Sequence, residues 1–189
     1  VADQTVSVTT TDDDVAGFTI AETSGSTGVD ESGSTDLFTI VLDTQPSSDV
    51  VLSITSSDTG EATVESLIQF TSVNWDTPQN VTVTGADDGI IDGTQTSTIT
   101  VTVVDAITDD DFDAVADQTV SVTTTDDDVA GFTIAETSGS TGVDESGSTD
   151  IFTVVLNAEP SSNVVLDITS SDTGEATVTS SLTFTSANW

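Results

Sequence analysis

The chain has 189 residues, 34 of them acidic and none lysine, arginine or histidine, for a formal charge of -34. That charge repels phosphate backbones and anionic lipid surfaces, which excludes nucleic-acid and membrane-surface roles. No apolar run approaches the ~18 residues of a spanning helix, no basic stretch leads an apolar core as in a signal peptide, and without cysteine there are no disulfides or thiolate metal sites.

High charge accompanies disorder only where β-branched and aromatic residues are scarce. Here Val, Ile and Thr abound, with seven Phe and two Trp, so the chain is expected to fold once its carboxylates are neutralised. Apolar residues alternate with Thr or Ser in GFTIAE (Phe18, Ile20), LFTIVL (Phe38, Ile40, Leu42), VVLSIT (Val50, Leu52, Ile54) and LIQF (Ile68, Phe70). The same period of two continues in NVTVTG (Val81, Val83), STITVTVV (Ile99, Val101, Val103) and TVSVTTT (Val120, Val122). Alternation between turns of Gly, Asp, Ser and Pro predicts half-buried strands, and no segment has a helical period. Seven short strands over such a length predict an all-β, immunoglobulin-like antiparallel sandwich.

The sequence also repeats. Val1–Asp36 recurs unchanged as Val115–Asp150, and from Leu37 to Trp75 the second copy carries mostly mild swaps such as Leu37/Ile151, Ile40/Val154 and Asp43/Asn157. A period of that size is a whole domain, so the chain reads as a window on a tandem array. Residues 1–14 are expected to be the last strand and tail of a preceding repeat. Residues 15–128 form a complete sandwich, and 129–189 the first four strands of the next, whose closing strands are expected from further chain or a neighbouring molecule.

Because successive strands reverse, the first, third and fifth connections share one pole with the exit from the seventh strand. Onto that exit pole fall Glu31 (GVDESG), Asp58 and Glu61 (SSDTGEA), Asp87, Asp88 and Asp92 (GADDGIIDG), and Asp126, Asp127 and Asp128. The opposite pole receives Asp109, Asp110, Asp111 and Asp113, and is expected to face Asp12, Asp13 and Asp14 of the preceding tail; Asp3, Asp36 and Asp43 read as isolated surface acids. Two carboxylates about 4 Å apart repel by ~1 kcal/mol even in water. With no base available, a bound cation is expected to balance them. Ca²⁺ suits an irregular all-oxygen cluster, whereas Mg²⁺ demands a tighter octahedron and zinc or copper prefer the missing His and Cys.

The stretches GFTIAET, VDESG, GADDGIIDG and VTTTDDDVAG together resemble the Calx-beta domain, the calcium-binding sandwich of sodium/calcium exchangers and of large bacterial surface proteins. The resemblance implies ligands at Glu31, at Asp58 or Glu61, at Asp87, Asp88 and Asp92, and at Asp126–Asp128. The fifth connection is less acidic than in many members of the family, which implies fewer ions. FTSANW and NWDTPQNVTVTG are similar to tandem repeats of giant bacterial adhesins and extracellular fibres.

These features predict an extracellular or cell-surface structural repeat, meeting other copies of itself end to end and stiffened by Ca²⁺ at its poles and linkers. Asp109 and Asp111 are expected to add ligands at each junction. A calcium-sensing regulatory module is the alternative. Without His, Lys, Cys, Tyr or Arg, and with no apolar pocket indicated beside a carboxylate pair, an enzyme is not expected. Asn80-Val81-Thr82 is an N-glycosylation sequon, and the Ser/Thr content permits O-glycans.

Overall fold

In the computed structural model, which describes residues 1–189, the protein is all-β. Nine strands lie between Phe18 and Thr125: β1 (Phe18–Glu22), β2 (Thr27–Asp30), β3 (Thr35–Leu42), β4 (Val50–Ser56), β5 (Ala62–Val64), β6 (Leu67–Phe70), β7 (Gln79–Gly85), β8 (Gln95–Val103) and β9 (Gln118–Thr125). One sheet has the order β1-β3-β7-β5 and the other β2-β9-β8-β4-β6. All neighbours are antiparallel except β2 and β9, which run parallel from Thr27↔Val122 to Asp30↔Thr125. The apolar members of each alternating strand close one core, including Phe38, Ile40, Leu52, Phe70, Val81, Ile99, Val101 and Val122.

Two strands were not visible in the alternation. After β1 the chain makes a 3-10 turn at Thr23–Gly25, with Ser24 at φ 61°, and crosses to the other sheet as β2. Only Thr27 and Val29 of β2 are buried, and its four residues TGVD are too few to show a period. The three-residue β5 is too short to show a period.

Residues 130–189 contain β10 (Phe132–Glu136), β11 (Phe152–Leu156), β12 (Val164–Asp167) and β13 (Ser181–Phe184), in two separate pairs. The β10–β11 register, Phe132↔Leu156, repeats that of β1–β3, Phe18↔Leu42. Phe132 is 52% exposed where Phe18 is 2% exposed, because no counterparts of β7, β8 and β9 cover it. At the other end, residues 1–17 form no strand although residues 4–11 match β9 in sequence. A strand needs a neighbour to satisfy its backbone, and β9 has β2 on one side and β8 on the other.

A candidate metal centre at the exit pole

The site begins where the parallel pair ends. Glu31 follows β2 directly, and its backbone N–H donates to the carbonyl of Thr125 at 3.1 Å, so it lies beside the exit of β9. The turn after it is self-contained. Asp30 Oδ1 accepts from the backbone N–H of Ser32 (3.1 Å) and from the Ser32 hydroxyl, and the Asp30 N–H donates to Ser34 Oγ at 2.7 Å. Those hydroxyls hold Asp30 below the usual carboxylate range. Asp30 is thereby used by its own loop, and Glu31 turns inward, 1% exposed.

The other walls converge on it. Gly85 ends β7 so close to β2 that a Cβ there would fall 2.0 Å from the Asp30 carbonyl oxygen, and its N–H donates to Ser34 O at 3.0 Å. Only glycine lets these two connections meet. Glu61 is held through its carbonyl, which accepts from Ala86 N–H (2.9 Å) and Thr124 Oγ1 (3.3 Å), leaving its carboxylate free. Asp126 accepts from the N–H groups of Gly93 (2.7 Å) and Asp128 (2.8 Å), which ties the exit of β9 to the β7–β8 connection.

Two groups of carboxylate oxygens result, Glu31 with Asp126 and Asp128, and Glu31 with Glu61 and Asp92, each within 4.8 Å of one another. Glu31 belongs to both. Glu31 Oε2, Glu61 Oε2 and Asp128 Oδ2 are buried without any hydrogen-bond partner. Burial pushes Glu31 up to about 7, opposed by the backbone amide of Asp127 and reinforced by the charges of Asp126, Asp88 and Glu61. Burial likewise raises Glu61, helped by Asp92 and Asp58, and raises Asp128, helped by Asp126 and Asp127. Asp126 is lowered by the amides of Gly93 and Asp128. An ionised carboxylate so buried and unpaired is costly. No cationic side chain exists to answer it. An all-oxygen, anionic, partly desolvated donor set of this kind fits a hard divalent cation.

Of the remaining expected residues, Asp58 uses Oδ1 to accept from Gly60 N–H at 2.9 Å, and Asp88 uses Oδ1 to accept from Ile90 N–H at 2.7 Å. They and Asp87 act on the site through their charge. Asp127 contributes its backbone amide. Asp36, read as an isolated surface acid, clips β2 to β3 by accepting from the N–H groups of Gly28 (3.0 Å) and Leu37 (2.8 Å).

At the opposite pole the outcome differs from expectation. Asp109 is buried, but Ser47 Oγ (2.8 Å), Ser48 N–H (2.6 Å) and Asp111 N–H (3.1 Å) all donate to its carboxylate. These bonds hold it at about 2. Its oxygens are occupied by protein donors, so it is a cap for the 3-10 turn Asp110–Phe112 rather than a free ligand. Asp111 lies with Asp12 and Asp14 around an open cleft, and Asp12, Asp13 and Asp14 form an exposed group of their own.

No protein-family model matches the sequence, and no curated protein matches it. Among solved structures, the E. coli chaperone DraB aligns at 9% identity and a TM-score of 0.44, over 63% of this chain and 60% of DraB, so less than two thirds of DraB is covered. SSP-19, an MSP-domain protein like family member in Caenorhabditis elegans, aligns at 18% identity and a TM-score of 0.35, over 53% of this chain and 92% of SSP-19.

Proposed function

We propose that this chain is a Calx-beta-like, immunoglobulin-like sandwich repeat of a bacterial extracellular filament or adhesin stalk, and that Ca²⁺ at the exit pole stiffens it. The observation that carries this reading is the set of orphaned, buried carboxylate oxygens on Glu31, Glu61 and Asp128 in a chain without a single base. Glu31, Glu61, Asp92, Asp126 and Asp128 would hold the ion. It would supply the missing positive charge and join the β2 turn, the β4–β5 connection, the β7–β8 connection and the exit of β9. The near-identical repeat supports a mechanical role, since a sensing module needs a transducing partner rather than copies of itself. The affinity expected of partly open extracellular sites is about 10⁻⁵–10⁻³ M.

The test is a pair of measurements on the intact chain: calorimetric titration with Ca²⁺, and thermal melts in Ca²⁺ and in chelator. At free Ca²⁺ a hundredfold above the dissociation constant, one site adds ~2.7 kcal/mol. No binding heat together with identical melts would sink the reading.

A further inference from the structure

The loop between β7 and β8 carries two apolar residues among its acids, Ile90 and Ile91, 41% and 47% exposed. Neither belongs to the carboxylate centre. Both lie against residues 130–189 instead. Glu159 N–H donates to Gly89 O at 2.6 Å, and Ile90 pairs with Glu159 in an isolated parallel bridge. Ile90 and Ile91 border a cleft of about 340 Å³ together with Ala130, Ala158 and Pro160. Gly89 packs so near Trp189 that a Cβ would fall 3.0 Å from Cη2 of the indole. Ala158 is 6% exposed although most of its unit is open.

The complete unit presents the same acceptor at its own opposite pole. Ala16, Thr44, Gln45, Pro46 and Trp75 stand where the second copy has Ala130, Ala158, Glu159, Pro160 and Trp189. Ala16, Gln45 and Pro46, together with the aspartates Asp12, Asp14 and Asp111, line a cleft of about 390 Å³ there. The N–H of Gln45, the counterpart of the Glu159 amide, has no acceptor within the chain. Phe132, Leu156, Val164 and Leu166 also border the cleft in the second copy. Their counterparts Phe18, Leu42, Val50 and Leu52 are buried in the complete unit, so the acceptor common to both copies is the turn, Thr44–Pro46 or Ala158–Pro160, with the alanine beside it.

We propose that the tip Gly89–Ile91 is an inter-repeat latch, and that the occupant of the Thr44–Pro46 cleft is the same tip from a second copy of the repeat. The contact is head to tail, so each repeat is donor at its exit pole and acceptor at the other, and the pattern propagates along an array. The inference rests on the tandem-array reading but not on the metal. A backbone hydrogen bond and two isoleucines bordering the cleft fix an angle that the linker Asp126–Gly131 alone would leave free.

With no native cysteine, disulfide trapping tests the latch in the whole chain. Bridged strand partners lie about 4.8 Å apart, inside the disulfide range of about 4.4–6.8 Å. The Ile90→Cys/Glu159→Cys variant should oxidise within the chain at least about tenfold faster than Ile90→Cys/Glu175→Cys, whose second thiol sits at the far pole of the second unit. Hydrogen exchange should show the Glu159 amide protected, and Ile90→Asp/Ile91→Asp should abolish that protection. Equal trapping rates with an unprotected amide would overturn the latch. Both measurements are made in Ca²⁺ and in chelator. Fast trapping beside melts that ignore Ca²⁺ retains the latch and removes the metal reading; trapping at the control rate beside Ca²⁺-dependent melts does the reverse.

Discussion

The most deeply buried carboxylate at each pole of the central unit is Glu31 at the exit and Asp109 opposite, at 1% and 3% exposure. Their electrostatics point in opposite directions: Glu31 is pushed up to about 7 and Asp109 held down at about 2. Asp109 is surrounded by donors from Ser47, Ser48 and Asp111, whereas Glu31 is surrounded by other acids and keeps an oxygen unpartnered. Burial alone therefore does not identify a cation site. What matters is whether the protein itself has spent the carboxylate's lone pairs.

Four experiments press on that contrast. The largest effect is expected from Asp109→Ala, which removes charge-assisted bonds and strands the Ser48 amide. A loss of about 3–4 kcal/mol is expected, measured by urea unfolding and the same in Ca²⁺ and in chelator. A loss that calcium rescues would mean Asp109 is a ligand after all.

Glu31→Gln should do the opposite. It should remove most of the ~2.7 kcal/mol that a hundredfold excess of Ca²⁺ over its dissociation constant supplies, while leaving the calcium-free protein at least as stable as wild type. Paired melts decide it, and a variant still fully stabilised by Ca²⁺ would take Glu31 out of the site.

The two poles should also separate by pH. Glu31 has a folded value raised from 4.5 to about 7, so its contribution to calcium-free stability is fully present below about pH 4.5 and is lost as pH rises through 7. Melting temperature in chelator should fall from pH 5 to 8, and in saturating Ca²⁺ it should not. Because the proton and the ion compete, Ca²⁺ affinity should drop by up to about tenfold per pH unit below 7. Asp109, held at about 2 from 3.8, contributes stability that is present above pH 4 and disappears as pH falls through 2. Matching pH profiles for Glu31→Gln and wild type, followed by calorimetry, would dissolve the distinction. The smallest effect belongs to Asp58→Asn, whose side chain is engaged by Gly60: less than about 0.5 kcal/mol in calorimetric affinity.

The alternating strands were legible because each is half buried, so Phe38, Ile40 and Leu42 or Val81 and Val83 announce their faces. β2 and β9 show where such reading stops. TGVD becomes a strand at Thr27–Asp30 by pairing with Val122–Thr125, far along the chain, which no local pattern announces: pairing decides its state, not propensity. The convergence of Glu31, Glu61, Asp92, Asp126 and Asp128 followed from counting strand reversals. The engagement of Asp109 did not, because it depends on Ser47 and Ser48 across the pole, and strand parity carries no information about donors. Gly85 was readable only as the end of a strand, although its missing side chain lets two connections touch.

The parallel pairing of β2 with β9 also has a mechanical meaning. The chain comes in at the pole where β1 starts and leaves at the pole where β9 ends. Tension between the two ends therefore drags β2 and β9 along their length in opposite senses. Parallel hydrogen bonds are evenly spaced, and from Thr27↔Val122 to Asp30↔Thr125 they resist such a pull together, as a shear joint, rather than opening singly like a zip. The Glu31 N–H bond to Thr125 lies at the end of that joint. If the chain serves as the proposed stalk, unfolding rate rather than equilibrium stability would set its endurance, and this joint is where a pull between its ends would first be felt.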